Sequence, residues 1–571
     1  MHQWLDKIIS ACKTSPKLPT ALGFAYWIFI NIAYVDGYFQ GKSSFKVIFL
    51  FKTLSLIASI LFANLVANLI RKAKKDNLYH AMLKRALIYL GVTLIFVLLT
   101  WPGLYVHDDI VVLRLATELR LEPWQHMLSS IHMIISIMLL PIASAPIIFQ
   151  CIFGSLIAAY VSTFLPEVLS NDKKKRRRLS IAMFVVFFLP PVILHVICGY
   201  RMSIYQYFEV FVLAYLYIHY KKAEKIKPFA MLSLLFVIIL LCSWRSEAIY
   251  YILGIPILFF IIRKPLFTLK QIAIYSLIII VATLSIGRIN SHLVGNNSYT
   301  FAALLVPING IIDGAIDEND TETLESYSRM FDIECIKENN LRKAPEAMYW
   351  TCTRSLPEDI MKELTAKTIQ LTPKYISYIA PQYADIFCDV YLGVQCGPSN
   401  TGQTGAHFIS DWSNYYFSEE ADEKGTSFEA TIQMPLSLQL SRPVRAATVN
   451  ILTGRNPITN TSAEYPITKE RYPTHAIPVY YQLFYSLIIP TISIIAAAII
   501  SIRRKKYVLL WIILLIAGRA AIVSATGMAS YLMYFMPFYI SSIIFFLVAI
   551  SETAIKKSRA KNARLPKKTR K

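Results

Sequence analysis

The chain has 571 residues; 55% are hydrophobic and 16% charged, yet Lys and Arg outnumber Asp and Glu 58 to 36, a net charge of +22. Soluble domains carry about 25% charged residues and fewer apolar ones. A soluble enzyme, a nucleic-acid binder, a disordered tail protein and a small disulfide scaffold are therefore excluded, and an α-helical polytopic membrane protein is predicted.

Twelve apolar stretches of near-spanning length follow one another, at roughly 20–39, 46–70, 83–101, 145–165, 180–198, 204–220, 228–243, 247–263, 270–288, 477–501, 507–526 and 530–551. The seventh and eighth are short and separated only by Trp244, Arg245 and Ser246, which predicts a tight hairpin. No cleavable signal peptide is recognisable at the N-terminus, so the first span is expected to stay as an anchor. Orientation follows from the basic clusters Arg71–Lys75, Lys173–Arg178, Lys221–Lys227, Arg263–Lys270, Arg503–Lys506 and Lys556–Lys571, which hold 30 of the 58 basic residues. Twelve crossings put every cluster on one side, expected to be the cytoplasm, with both termini there. The apolar stretch 127–141 must then not cross; 15 residues suit a re-entrant or interfacial helix lying along the membrane.

The expected organisation is N-terminal spans 1–101, an extracytoplasmic loop 102–144, a membrane core 145–288, an extracytoplasmic soluble domain 289–476 between the ninth and tenth spans, C-terminal spans 477–551 and a basic cytoplasmic tail 552–571. The large outer segment holds 14 basic and 23 acidic residues, a net of −9. It also holds Cys335, Cys352, Cys388 and Cys396, read as two disulfides on an oxidising face, the pairing closest in sequence being Cys335–Cys352 and Cys388–Cys396. A zinc site is the competing reading, but no ligand spacing supports it. His407, Asp411, Arg442 and Arg445 in this segment are candidate acceptor contacts without a motif.

The first outer loop carries adjacent carboxylates, Asp108 and Asp109, just past a membrane exit. Two carboxylates this close resist double ionisation, which fits a general base or ligands for a divalent cation such as Mg or Mn. The other reading is a helix cap at the membrane surface. His107, His126 and Trp124 in the same loop are candidate substrate contacts. In two short turns Arg201 and the Arg245–Glu247 pair stand on the outer side, against the positive-inside bias. A guanidinium suits a phosphate through bidentate hydrogen bonds; interfacial anchoring, or an Arg245–Glu247 ion pair, is the alternative. Asp36, Lys52 and Glu209 are ionisable residues in or near spans.

Trp101-Pro102-Gly103, His107-Asp108-Asp109, Arg114-Leu-Ala, Pro123-Trp124-Gln125-His126, the helix 127–141 and the span carrying Gln150 resemble, over about 50 residues, the first outer loop of bacterial GT-C-type polytopic glycosyltransferases. The extra pair of spans before this loop departs from the simplest plan of that family. The resemblance implies a GT-C-like fold and a lipid-linked sugar donor, commonly a polyprenyl phosphate. The implied acceptor is a glycan, lipid or protein outside a bacterial cytoplasmic (inner) membrane, with an outer-face Asp as base. Membrane lipids are the other partners and nucleic acid is not one. A transporter or flippase of lipid-linked glycans and a glycan polymerase are the alternative functions. Sites near the midplane on broken helices in matching halves would mark the transporter, and a basic outer loop the polymerase.

Overall fold

The computed structural model describes residues 17–32, 43–105, 107–123, 125–199, 201–294, 303–354, 358–387, 391, 407–408, 448, 452, 484–527 and 532–563. The helices that lead to the first loop are α1 (Leu18–Ile30), α2 (Phe45–Lys75) and α3 (Asn77–Leu99). Strand β1 (Leu104–Tyr105), α4 (His107–Thr117) and α5 (Met127–Leu139) form the loop itself. Then come α6 (Ala145–Leu169), α7 (Lys173–Val186), α8 (Pro190–Val196), α9 (Arg201–Lys222), α10 (Pro228–Ser243), a 3₁₀ stretch (Ser246–Tyr250), α11 (Tyr251–Ile261) and α12 (Leu269–Val294). Six smaller helices, α13 (Leu305–Asp317), α14 (Thr321–Ser328), α15 (Ile333–Glu338), α16 (Pro345–Cys352), α17 (Glu358–Leu371) and α18 (Ile376–Phe387), precede strand β2 (His407–Phe408). The chain closes with α19 (Ile488–Arg503), α20 (Tyr507–Thr526), a 3₁₀ turn (Leu532–Phe535) and α21 (Met536–Ala563).

This is a multi-pass α-helical membrane protein. Among the described residues six helices are long and apolar enough to cross a membrane, namely Phe45–Lys75, Asn77–Leu99, Ala145–Leu169, Leu269–Val294, Tyr507–Thr526 and Leu532–Glu552. The pair α7–α8, bent by 57°, makes a seventh if counted as one span. A helix lies on every one of the twelve predicted stretches, but α1, α10, α19 and the 246–261 stretch are shorter, at 10–17 residues. Large apolar side chains stay exposed at helical spacing, such as Phe229, Leu232 and Phe236 on α10 and Leu277, Val281 and Leu284 on α12. Such a surface belongs against lipid, while the backbone polar groups are satisfied within each helix.

Sequence chemistry sets several boundaries. Asp76 caps α3 by accepting from Leu78 N, and Asp172 caps α7 by accepting from Lys174 N and Lys175 N. The bend after α7 comes at Leu189-Pro190-Pro191, where prolines cannot continue the ladder. Gln150 of α6 answers carbonyls at the far end of α8, donating to Val196 O at 2.8 Å and Cys198 O at 2.5 Å.

Contacts gather four of the six basic clusters at one end of the bundle. The Lys72 ammonium sits over the Tyr79 ring at 4.8 Å, Tyr79 packs on Phe164 at 5.2 Å, and Lys222 reaches the same Phe164 ring. Arg176 pairs with Glu167 at 2.6 Å. Lys221, the Tyr217 hydroxyl and Lys506 all meet Glu552. The 71–75, 173–178, 221–227 and 503–506 clusters thus share a neighbourhood, as their one-sided reading requires.

The small helices α13–α18 form a second core around Leu305, Ile308, Ile312, Tyr327, Phe331, Met348, Tyr375 and Ile379. Cys335 and Cys352 are bonded in a disulfide that joins α15 to α16; Cys388 and Cys396 lie outside the described residues. This unit touches the bundle at the end of α20, where Tyr383 Oη donates to Ala525 O at 3.0 Å and Tyr391 Oη meets Ser524 Oγ at 2.8 Å. A helix rises 1.5 Å per residue, so that contact is about 27 Å from Lys506. The helical unit and the basic clusters therefore occupy opposite ends.

Helix α5, the stretch expected not to cross, is packed inside the protein against α4, α2, α6 and α12. Met133, Ile134, Ile137 and Met138 are buried, and so are Ser129, Ser130 and Ser136. The helix has no charged residue, and a helix apolar nearly all round is buried.

Candidate functional site

The end of the bundle opposite these basic clusters brings together described residues of the loop (102–105, 107–123 and 125–126), residues 197–199, the turn 244–250 and the last turns of α20. Strand β1 is the hub. Leu104 N donates to Ile197 O at 3.0 Å and Gly199 N donates to Leu104 O at 2.7 Å. On its other side Leu104 and Tyr105 pair antiparallel with Phe408 and His407. Two glycines make this approach possible. Gly103 has φ +110°, which L side chains rarely adopt, and a Cβ on Gly199 would fall 2.2 Å from the Tyr105 ring. Tyr105 is fully buried and donates to Ala143 O at 2.7 Å.

Asp109 stands in the first turn of α4 and is fully buried. A helix N-terminus favours negative charge there. Burial first, then the Asp109 charge, push the Tyr105 phenol well above its ordinary range. Asp108 and His107 share this turn, but their side chains lie outside the described residues, as do those of Arg201 and His407 and all of Trp124, Asp36, Asp411, Arg442 and Arg445. Among the described residues no three His, Cys, Asp or Glu side chains form a group that could hold a metal.

Arg245 and Glu247 do pair, with Nε to Oε1 at 2.9 Å, at the junction of α10 and α11. The same Oε1 lies 3.5 Å from Arg519 Nη2. Arg519 is fully buried on α20 and lies over the Tyr205 ring at 5.1 Å. Seven residues from the end of α20, it sits about 10 Å inside that end. Tyr251 donates to Glu209 in the same interior, Tyr205 Oη donates to Leu241 O at 3.1 Å, and Arg245 faces the Tyr534 ring at 5.2 Å. Glu209, singled out in the sequence, thus belongs to this polar interior. Arg519 was overlooked there, although an arginine inside an apolar run of spanning length is itself a signal.

His126 caps α5, its Nδ1 accepting from Leu128 N at 3.3 Å, and the next residue's amide, Met127 N, donates to Asn290 Oδ1 at 2.8 Å. Burial, with the Arg245 charge adding to it, pushes the imidazole down to about 4. The ring is therefore neutral at pH 7 and near enough to Arg245 to feel it. No protein-family model, no curated protein and no solved structure matches this chain.

Proposed function

We propose that the chain is a membrane glycosyltransferase of GT-C type. It takes a sugar from a polyprenyl-phosphate-linked donor and passes it to a glycan, lipid or protein acceptor outside a bacterial cytoplasmic membrane. In this reading the chain crosses twelve times with both termini inside. The observation that carries it is the separation of the two ends: a buried aspartate and a buried two-arginine cluster at one, the basic clusters at the other.

A polyprenyl tail stays in the bilayer and its phosphate sits near headgroup depth, within reach of groups at this end. Asp108 or Asp109 removes the proton from the acceptor hydroxyl as its oxygen attacks the anomeric carbon. The bond from that carbon to the phosphate oxygen breaks, and the electron pair leaves with the lipid phosphate. Arg245 and Arg201 are the residues assigned to stabilise the departing charge. Attack opposite the leaving group inverts the sugar configuration.

The test is transfer of labelled sugar from polyprenyl-phosphate donors by purified protein in nanodiscs. Replacing the base by Asn keeps its shape and removes its proton affinity, so the affected single variant should lose about 10²–10⁴ in turnover. A D108N/D109N double variant that folds and transfers sugar at the wild-type rate would end this reading.

A further inference from the structure

Arg519 is held in an unusual way. Its side chain is fully buried in an otherwise apolar helix, yet Nη2 only approaches Glu247 at 3.5 Å, and Nε and Nη1 have no hydrogen-bond partner among the described residues. A guanidinium presents five N–H donors, and buried polar groups are nearly always satisfied. Both two-pronged edges of the group, Nε with Nη2 and Nη1 with Nη2, include the one nitrogen that Glu247 touches. Removing Glu247 would leave either edge free for a bidentate pair of oxygens.

Glu247 is placed to leave. It belongs to a 3₁₀ stretch between two helices, where hydrogen-bond geometry is poorer than in an α-helix. Its side chain is 7% exposed, between Arg245 at 12% and Arg519 at zero, so exposure falls in order from the first guanidinium to the second. Ser246 Oγ meets its other oxygen at the edge of contact, 3.5 Å.

We propose that Glu247 is an internal stand-in for a phosphate-type anion, which displaces it from between Arg245 and Arg519 and takes the open donors of Arg519. The exchange keeps the buried charge balanced, because a lipid-linked phosphodiester carries one negative charge, as the carboxylate does. Once the sugar has gone, the lipid phosphate monoester can carry a second charge, which the second guanidinium answers. The proposal rests on the reading of the substrate as a lipid-linked phosphate, and makes Arg519 the inner half of its clamp.

Two phosphate probes on full-length protein in nanodiscs test it: a short-chain polyprenyl phosphate and inorganic phosphate. Glu247→Gln removes the internal competitor and should tighten binding of the lipid probe by about tenfold, while Arg519→Gln should weaken it by about as much. An ion pair with only a structural role predicts no gain for Glu247→Gln; unchanged or weaker binding by that folded variant overturns the proposal. Should Glu247→Gln fail to fold, the E247Q/R519Q variant restores charge balance and Glu247→Asp shortens the carboxylate's reach. The first should then bind more weakly than wild type and the second more tightly, and the reverse of either result overturns the proposal. Equal fold-changes for inorganic phosphate assign recognition to the phosphate group alone; a response confined to the lipid probe assigns it to the lipid-linked form. Both results support exchange, and binding of neither probe to wild type or variants overturns it. Sugar transfer in the same preparations separates the two readings. Transfer without the Glu247→Gln gain sinks only the exchange, whereas the gain without any transfer sinks only the glycosyltransferase.

Discussion

Each end of the bundle buries one glutamate between two basic residues, and the two are held in opposite ways. At the basic end Glu552 meets Lys221, Lys506 at 3.0 Å and the Tyr217 hydroxyl. The lysine side chains are 25% and 38% exposed, so each ammonium can turn its spare donors to water on a flexible stem. At the other end Glu247 lies between Arg245 and Arg519, and the Arg519 guanidinium has no exposure through which water could complete its bonding. The first arrangement ties α9, the start of α20 and α21 together. The second leaves hydrogen-bonding capacity unspent among the described residues, which is a poor way to build a tie and is what the proposed anion exchange would use. Depth and the kind of cation decide between them, because a buried ion pair repays its desolvation only when its remaining donors are satisfied.

Breaking the inner pair should give the largest change in stability. Arg519→Ala strands Glu247 beside a single partner and should cost about 3–5 kcal/mol, read from unfolding in detergent. Replacing both residues with apolar ones of similar volume, R519M/E247L, should recover most of that loss while abolishing binding of the phosphate probes. If the double replacement is as unstable as the single, the pair is a tie like the one at the basic end. Removing the disulfide with Cys335→Ser should cost about 3 kcal/mol, given a separation of 17 residues. The loss should be confined to the α13–α18 unit, seen as faster proteolysis there with both ends of the bundle intact.

Glu552→Gln should cost less, about 1.5–3 kcal/mol, because both lysines can reach water, and it should leave phosphate binding unchanged. A larger cost, or weaker phosphate binding, would show that the two ends are coupled. The smallest effect concerns His126. Its folded-state pKa of about 4 is below the ordinary value of 6.5, so the unfolded chain binds the proton more readily. Stability is therefore fully present above about pH 6.5 and falls as pH drops towards 4. Protonation also ends the ring's ability to accept from Leu128 N. Apparent Tm followed from pH 7 to 4 should flatten in His126→Asn, which replaces the capping nitrogen by a non-titrating oxygen; an unchanged slope would remove His126 as its source.

Much of the fold was legible because membrane helices are written locally. Runs of apolar residues bounded by Asp76, Asp172 or Pro190 gave the positions of helices that the structure also has. The basic clusters, read only by their spacing, meet in space through Lys72, Lys222, Lys221 and Lys506. The Cys335–Cys352 bond likewise joins neighbours in sequence. Helix α5 is legible as an apolar helix too short to cross, but its partners are not, because hydropathy reports that a helix is apolar and not what covers it.

The candidate site was legible only in part. Arg245 and Glu247 are two residues apart, so their pairing could be weighed from the sequence. Arg519 lies 272 residues beyond Glu247, and no local pattern connects them. The pairing of β1 with residue 198 and with β2 joins three segments that are also remote in sequence. Side-chain type, apolar period and charge asymmetry are properties of a few consecutive residues, and they determined the membrane class, the helices and the basic end. Which buried charge meets which partner, and which donors stay open, depends on how helices pack across the bundle, and only the tertiary structure decided that.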